Sequence, residues 1–197
     1  MPRSNLRAFR ESLQSLLTRE ETRPFLCDGD PRNCDLMIVG FNAATSKGLN
    51  VWDYWSDERG LDRREFLAAY RQRRNIKGVR ARLERIVSQI PTSTIETNIY
   101  AVPTARAHKL SRRQRVSTAF EFLFQEIRPK IVFTHSTAAI DFLRRRCETP
   151  EISSTPVEVV WQGHRFYLLG RPGPLFRASY EEALQIGSSL ATLLGNL

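Results

Sequence analysis

The chain has 197 residues, 41% of them hydrophobic, and a formal charge of +9, which suits one globular domain with a sizeable core rather than a disordered segment. No apolar run reaches the roughly 20 residues of a membrane-spanning helix, and the N-terminal MPRSNLRAFRESL lacks the apolar core of a secretory leader, so a cytoplasmic protein without membrane contact is expected. The excess of positive charge points to nucleic acid or another polyanion as partner.

In chain order, residues 6–17 place Leu6, Phe9, Leu13, Leu16 and Leu17 on one helical face, with Ser4 or Asn5 as N-cap. A loop with Pro24 and Pro31 leads to a first strand at residues 36–39, and residues 45–60 are irregular and aromatic-rich. A helix follows from Asp62, with Glu65 at capping-box spacing, and another runs over residues 79–90. Residues 94–100 read as the second strand. Ser111 and Gln114 predict the start of a helix whose stripe is Phe120, Leu123, Phe124 and Ile127. Residues 131–134 are the third strand and residues 137–146 a helix. Residues 157–161 and 165–169 form either a hairpin or two segments of a late strand. A Gly/Pro-rich loop at residues 170–177 precedes the last helix, which Ser179 and Glu182 open.

Strands alternating with helices predict one α/β domain over residues 1–197, with residues 1–32 as an N-terminal helix and lead-in loop. Ligands of such a sheet bind beyond the C-terminal ends of its strands. Residues 42–45, 103–108 and 135–137 fall there, and the 170–177 loop follows an extended segment. Cys27, Cys34 and Cys147 are odd in number and form no CxxC pair, so reduced thiols are expected, with no metal and no cofactor. The cations are mostly arginine, the only lysines being Lys47, Lys77, Lys109 and Lys130. The planar guanidinium suits phosphate, although GC-rich coding yields the same bias.

Four segments, in order, are similar to motifs of the uracil-DNA glycosylase superfamily. Gly40-Phe41-Asn42-Ala43 resembles the family's Gly-Xaa-(Asp or Asn)-Pro at the end of the first strand, in the asparagine form of the mismatch-specific and single-strand-selective branches. Asn98, in ETNIYAVPT, matches the asparagine that reads the base from the second strand. IVFTHSTAAIDFL resembles the third-strand segment and its helix. Arg171-Pro172-Gly173-Pro174-Leu175 stands where the family has His-Pro-Ser-Pro-Leu. The match covers about residues 33–194. It departs from the family at Ala43, which replaces the motif proline, at Arg171, which replaces the catalytic histidine, and at Gly173, which replaces serine. The four cysteines of the iron–sulfur branch are absent.

The resemblance implies a three-layer α/β/α sandwich around a mainly parallel four-stranded sheet. It implies a monomeric, monofunctional DNA glycosylase that flips a nucleotide and hydrolyses the N-glycosidic bond of uracil or another damaged base. Asn42 would orient the water, since an amide does not act as a general base. Asn98 would read the base edge, with Phe41 beside it and Trp52 or Trp55 as stacking surface. Arg171 would donate to the leaving base or grip a phosphate, and His135 is the alternative donor. Leu175 would be the wedge, in a loop with Pro172 and Gly173. Lys47, Arg106, Lys109 and Arg177 would meet phosphates. Two other functions fit the same residues: a nucleobase-binding module without turnover, and an N-glycoside hydrolase for nucleosides.

Overall fold

The structure is a computed structural model that describes residues 6–18, 23–42, 48–73, 76–104, 109–149 and 151–197. The predicted N-caps Ser4 and Asn5 lie outside these. The first elements are α1 (Leu6–Ser15), a two-residue strand β1 (Phe25–Leu26) and β2 (Leu36–Asn42), then a small hairpin of β3 (Trp55–Ser56) and β4 (Gly60–Leu61). Next come α2 (Arg63–Arg73), α3 (Gly78–Ser88), β5 (Thr94–Tyr100), α4 (Thr118–Ile127) and β6 (Ile131–His135). The chain ends with α5 (Thr137–Arg146), β7 (Val157–Trp161), β8 (His164–Arg171) and α6 (Tyr180–Gly195).

The central sheet has six strands in the order β1-β5-β2-β6-β8-β7. The inner four run parallel, and β1 and β7 add antiparallel edges. The expected four-stranded sheet is thereby corrected to a mixed sheet of six. β1 is too short to carry a periodic signal, and the β7–β8 hairpin decides the question left open by residues 157–169. The domain is α/β, with this mixed sheet at its centre and helices around it, an arrangement compatible with three layers.

Alternation along the strands divides the core. Met37, Val39, Ile95 and Ile99 pack with residues of α1, α2, α4 and α5, whereas Leu36, Ile38, Ile131 and Phe133 pack with α3 and α6. This two-sided burial is why the inner strands read as continuous apolar runs. Helices α3 and α6 approach closely at Gly187, where a Cβ would sit 2.5 Å from the Ile86 carbonyl oxygen. That approach fixes α3 against α6.

One predicted helix divides. The Ser111–Gln114 capping box forms, but it caps only a 3-10 turn, Arg112–Gln114, and α4 starts separately at Thr118. Val116 is exposed, so no apolar side chain anchors residues 115–117 until the stripe begins at Ala119. Among the described residues, no helix is long and apolar enough to cross a membrane.

Candidate functional site

A cleft of about 700 Å³ opens at the C-terminal ends of β5, β2 and β6. Strand register builds its floor. Gly40 pairs with Asn98, Val39 with Thr134, and His135 with Arg171. Asn98, His135 and Arg171 therefore project on the same face as Ile38 and Phe133, towards α3 and α6. Gly40 lies between Asn98 and His135. A Cβ there would collide with Oδ1 of Asn98 and come within 3.3 Å of Cε1 of His135. The missing side chain lets an amide and an imidazole meet across the central strand.

Both groups line the cleft, and no hydrogen bond ties either side chain to another described residue. Burial pushes the His135 imidazole down to about 4; Glu96 opposes the shift, and Arg80 and Arg171 add to it. The ring is neutral at pH 7, with one nitrogen a donor and the other an acceptor. It sits just before Ser136, whose hydroxyl accepts from the Ala139 N–H at 3.2 Å and caps α5.

Two residues before Asn98, on the same face of β5, Glu96 is buried. It accepts from Nη2 of Arg63 at 2.9 Å and from Arg80, and both arginines also pair with Glu84. Burial would raise the Glu96 carboxyl, but Arg80 and Arg63 outweigh it and hold it below its ordinary range. Glu96 is the one carboxylate lining the described cleft, and these pairs keep it ionised.

Asn42 also lines the cleft. Its Nδ2 donates to the Thr104 carbonyl at 3.1 Å and to Thr104 Oγ1 at 2.7 Å, which joins the end of β2 to the segment after β5. Phe41, another lining residue, meets Tyr100 edge-on with ring centroids 5.1 Å apart. Of the residues expected at the site, Phe41, Asn42, Asn98, His135 and Leu175 thus share one cavity.

Other expected residues go elsewhere. Trp52 and Trp55 do not line the cleft. Asn50 caps the 3-10 turn Val51–Tyr54 that holds Trp52, Trp55 opens β3, and both rings join an aromatic cluster with Phe25 and Phe9. Arg171 does not line the cleft either. Its Nε donates to Glu182 at 2.6 Å, and its Nη1 to the Pro172 and Pro174 carbonyls at 3.2 and 3.4 Å. The guanidinium braces the Pro-rich loop. Leu175 is buried in the α3–α6 core, while its neighbour Phe176 is 53% exposed at the cleft mouth, so the protruding apolar side chain is Phe176. Pro172 is exposed, and the Gly173 N–H donates to Thr137 Oγ1 at 3.3 Å. Lys109 and Arg177 are exposed outside the cavity lining. Lys47 and Arg106 lie outside the described residues.

Tyr70, Glu96 and Thr104 also line the cleft and are not among the residues that the sequence singles out. Glu96 had a signal, because a carboxylate inside an apolar strand demands a cation. Tyr70 falls on the apolar stripe of α2 and reads as core. No group of three or more His, Cys, Asp or Glu suited to a metal occurs among the described residues. The three cysteines are free thiols and buried.

Chemically, the cavity offers an amide and a neutral imidazole side by side, apolar and aromatic walls, and cations at its edge. That set fits a flat heteroaromatic ligand with hydrogen-bonding edges. No family model matches the chain, and no curated protein matches it.

Proposed function

We propose that the cleft holds a nucleobase extruded from a nucleic acid, and that the protein is a base-excising N-glycosidase on a uracil-DNA glycosylase-like three-layer fold. The observation that carries this reading is the pairing of Asn98 with His135 across Gly40, two polar side chains lining a cavity without a protein partner among the described residues. An amide both donates and accepts, so it reads a base edge such as the O4 and N3–H of uracil, worth about 1–3 kcal/mol of discrimination. The convergence of the first motif, Asn98 and the third-strand segment on one cavity adds support.

In the reaction, water adds to C1′ of the sugar, the C1′–N bond breaks, and its electron pair leaves with the base. The water's proton ends on the departed base or in solvent. Neutral His135 donates a hydrogen bond to the base oxygen that gains charge. Asn42, whose Nδ2 is tied to Thr104, positions the attacking water. Arg171, held by Glu182, keeps the mouth loop in shape.

The test is base release from single- and double-stranded oligonucleotides carrying uracil, hypoxanthine, xanthine or an alkylated base, with alkaline cleavage at abasic sites as readout. Asn42→Ala should lower release by orders of magnitude at nearly constant affinity, and Asn98→Ala should weaken binding about 5- to 150-fold. Unchanged release in both variants would refute the assignment. A second reading, a binding module without turnover, is favoured by the engagement of Arg171 with Glu182, which keeps a permanent cation away from the leaving base. Base-dependent binding with no release on any substrate would select it.

A further inference from the structure

We propose that Arg82 and Arg85, stacked on Tyr180 beside the cleft mouth, form a second site that grips the phosphate backbone of a polynucleotide strand. This rests on the nucleobase reading of the cleft and makes the substrate a strand rather than a free nucleoside.

The guanidinium carbons of Arg82 and Arg85 lie 4.6 and 3.6 Å from the Tyr180 ring centroid. Tyr180 opens α6 and is 46% exposed. Arg82 donates through Nε to the Ala178 carbonyl at 2.9 Å and through Nη1 to the Gly78 carbonyl at 3.2 Å. Arg85 uses only Nη1, towards the Ala81 carbonyl at 2.9 Å. Its Nε–Nη2 edge, the fork that takes a phosphate bidentately, carries no protein acceptor among the described residues. No described carboxylate pairs with either arginine, unlike Arg63, Arg80 and Arg171 nearby. Two charges are thus held in place by an aromatic ring and backbone carbonyls, with no counter-ion among the described residues. Holding them in advance lowers the entropy lost when an anion is captured.

Position ties the pair to the cleft. Ala178 ends the turn that carries Phe176, which lines the cavity, and Gly78 at the start of α3 lines it too. Exposed Lys77 stands at the same lip. At 1.5 Å per residue, α3 covers about 12 Å from Lys77 to Arg85. Each strand of a duplex presents a phosphate about every 3.4 Å of helix axis, so this reach exceeds one nucleotide.

Fluorescence anisotropy tests the site with two probes: a labelled single-stranded 15-mer containing one uracil, and deoxyuridine monophosphate as competitor. The double variant Arg82→Gln/Arg85→Gln should weaken 15-mer binding about tenfold at moderate salt and lower the log–log salt slope by about 1.4, at roughly 0.7 for each phosphate no longer neutralised. Its affinity for the mononucleotide should not change. Arg85→Gln alone, which spares the Arg82–Ala178 bond, should produce about half of that slope change. Unchanged 15-mer affinity and slope in Arg85→Gln would overturn the proposal, as would an equal loss for both probes. Asn98→Ala separates the two readings. If it leaves both probes unaffected while the arginine variants still lose the 15-mer, the backbone site stands and the nucleobase reading of the cleft falls.

Discussion

Two sets of guanidinium–carboxylate pairs flank the cleft and differ in burial. On the α2–α3 side, Arg80 and Glu96 keep 10% and 7% of their side-chain surface exposed, and Arg63 and Glu84 complete a quartet. On the β8–α6 side, Arg171 and Glu182 keep 20% and 41%. Between them, Asn98 and His135 have no such partner among the described residues. A charge taken out of water needs a counter-charge inside the protein, whereas a half-exposed one can fall back on solvent. A neutral amide and a neutral imidazole tolerate an open cavity at modest cost. The charges here are therefore balanced by counter-charges within the fold, although Nε of Arg63 and Nη1 of Arg80 are buried without a hydrogen bond, and the neutral pair is left for a ligand.

Breaking the buried side should have the largest effect. Arg80→Ala removes one of the two cations that Glu96 and Glu84 share, leaving the two carboxylates with Arg63 alone, at a cost of about 3–5 kcal/mol. Urea unfolding checks it, and a loss under about 1 kcal/mol would mean that water reaches the quartet. Gly40→Ala comes next. The added methyl must displace the Asn98 amide, at about 1–3 kcal/mol of overpacking. Mononucleotide affinity should fall with it; full affinity in this variant would show that the amide does not read the base from its observed position.

Acidification probes the pair between the two sides. His135 has its pKa lowered from 6.5 to about 4. Below pH 6.5 the unfolded chain takes up a proton that the folded chain refuses, so stability falls as pH drops from 6.5 towards 4. The slope approaches 1.4 kcal/mol per pH unit, about one proton. Glu96 acts lower: its contribution is complete above the ordinary 4.5 and is lost as pH falls through its lowered folded value. His135→Gln should flatten the first window and leave the second. Equal slopes in both proteins between pH 6.5 and 4.5 would place the depressed group elsewhere.

Much of this was legible where one residue pattern served one purpose. Residues 94–100 and 137–146 are a strand and a helix with the predicted bounds, because β-branched and apolar residues fill the first and a Ser136 cap opens the second. Asn42 and His135 were legible together because strand C-terminal ends converge in any parallel sheet, whereas Asn98 was singled out only by the motif resemblance. The tryptophans were not legible: an aromatic-rich irregular segment does not reveal in which direction its rings pack. Leu175 and Phe176 are adjacent, and only the packing of the loop against α3 decides which one is buried. The edge strand β1 escaped for a similar reason, since it has two residues and takes its order from pairing with β5.

The smallest effect is expected on the exposed side. Arg171→Gln removes the guanidinium that contacts Glu182, Pro172 and Pro174. Glu182 lies in the first turn of α6, where the helix N-terminus favours a carboxylate, and much of its surface stays in water. Its lowered pKa comes first from the hydrogen bond to Arg171, and solvent screening makes that bond worth little, under about 1 kcal/mol. Urea unfolding should therefore barely move, and mononucleotide affinity should stay within about twofold, since Arg171 is not a cavity wall. A loss of several kcal/mol would make the two sides of the cleft alike and remove the distinction between them. A different result, unchanged stability with a large drop in base release, would mean that Arg171 leaves Glu182 during the reaction and takes the charge of the departing base, with His135 relegated to positioning.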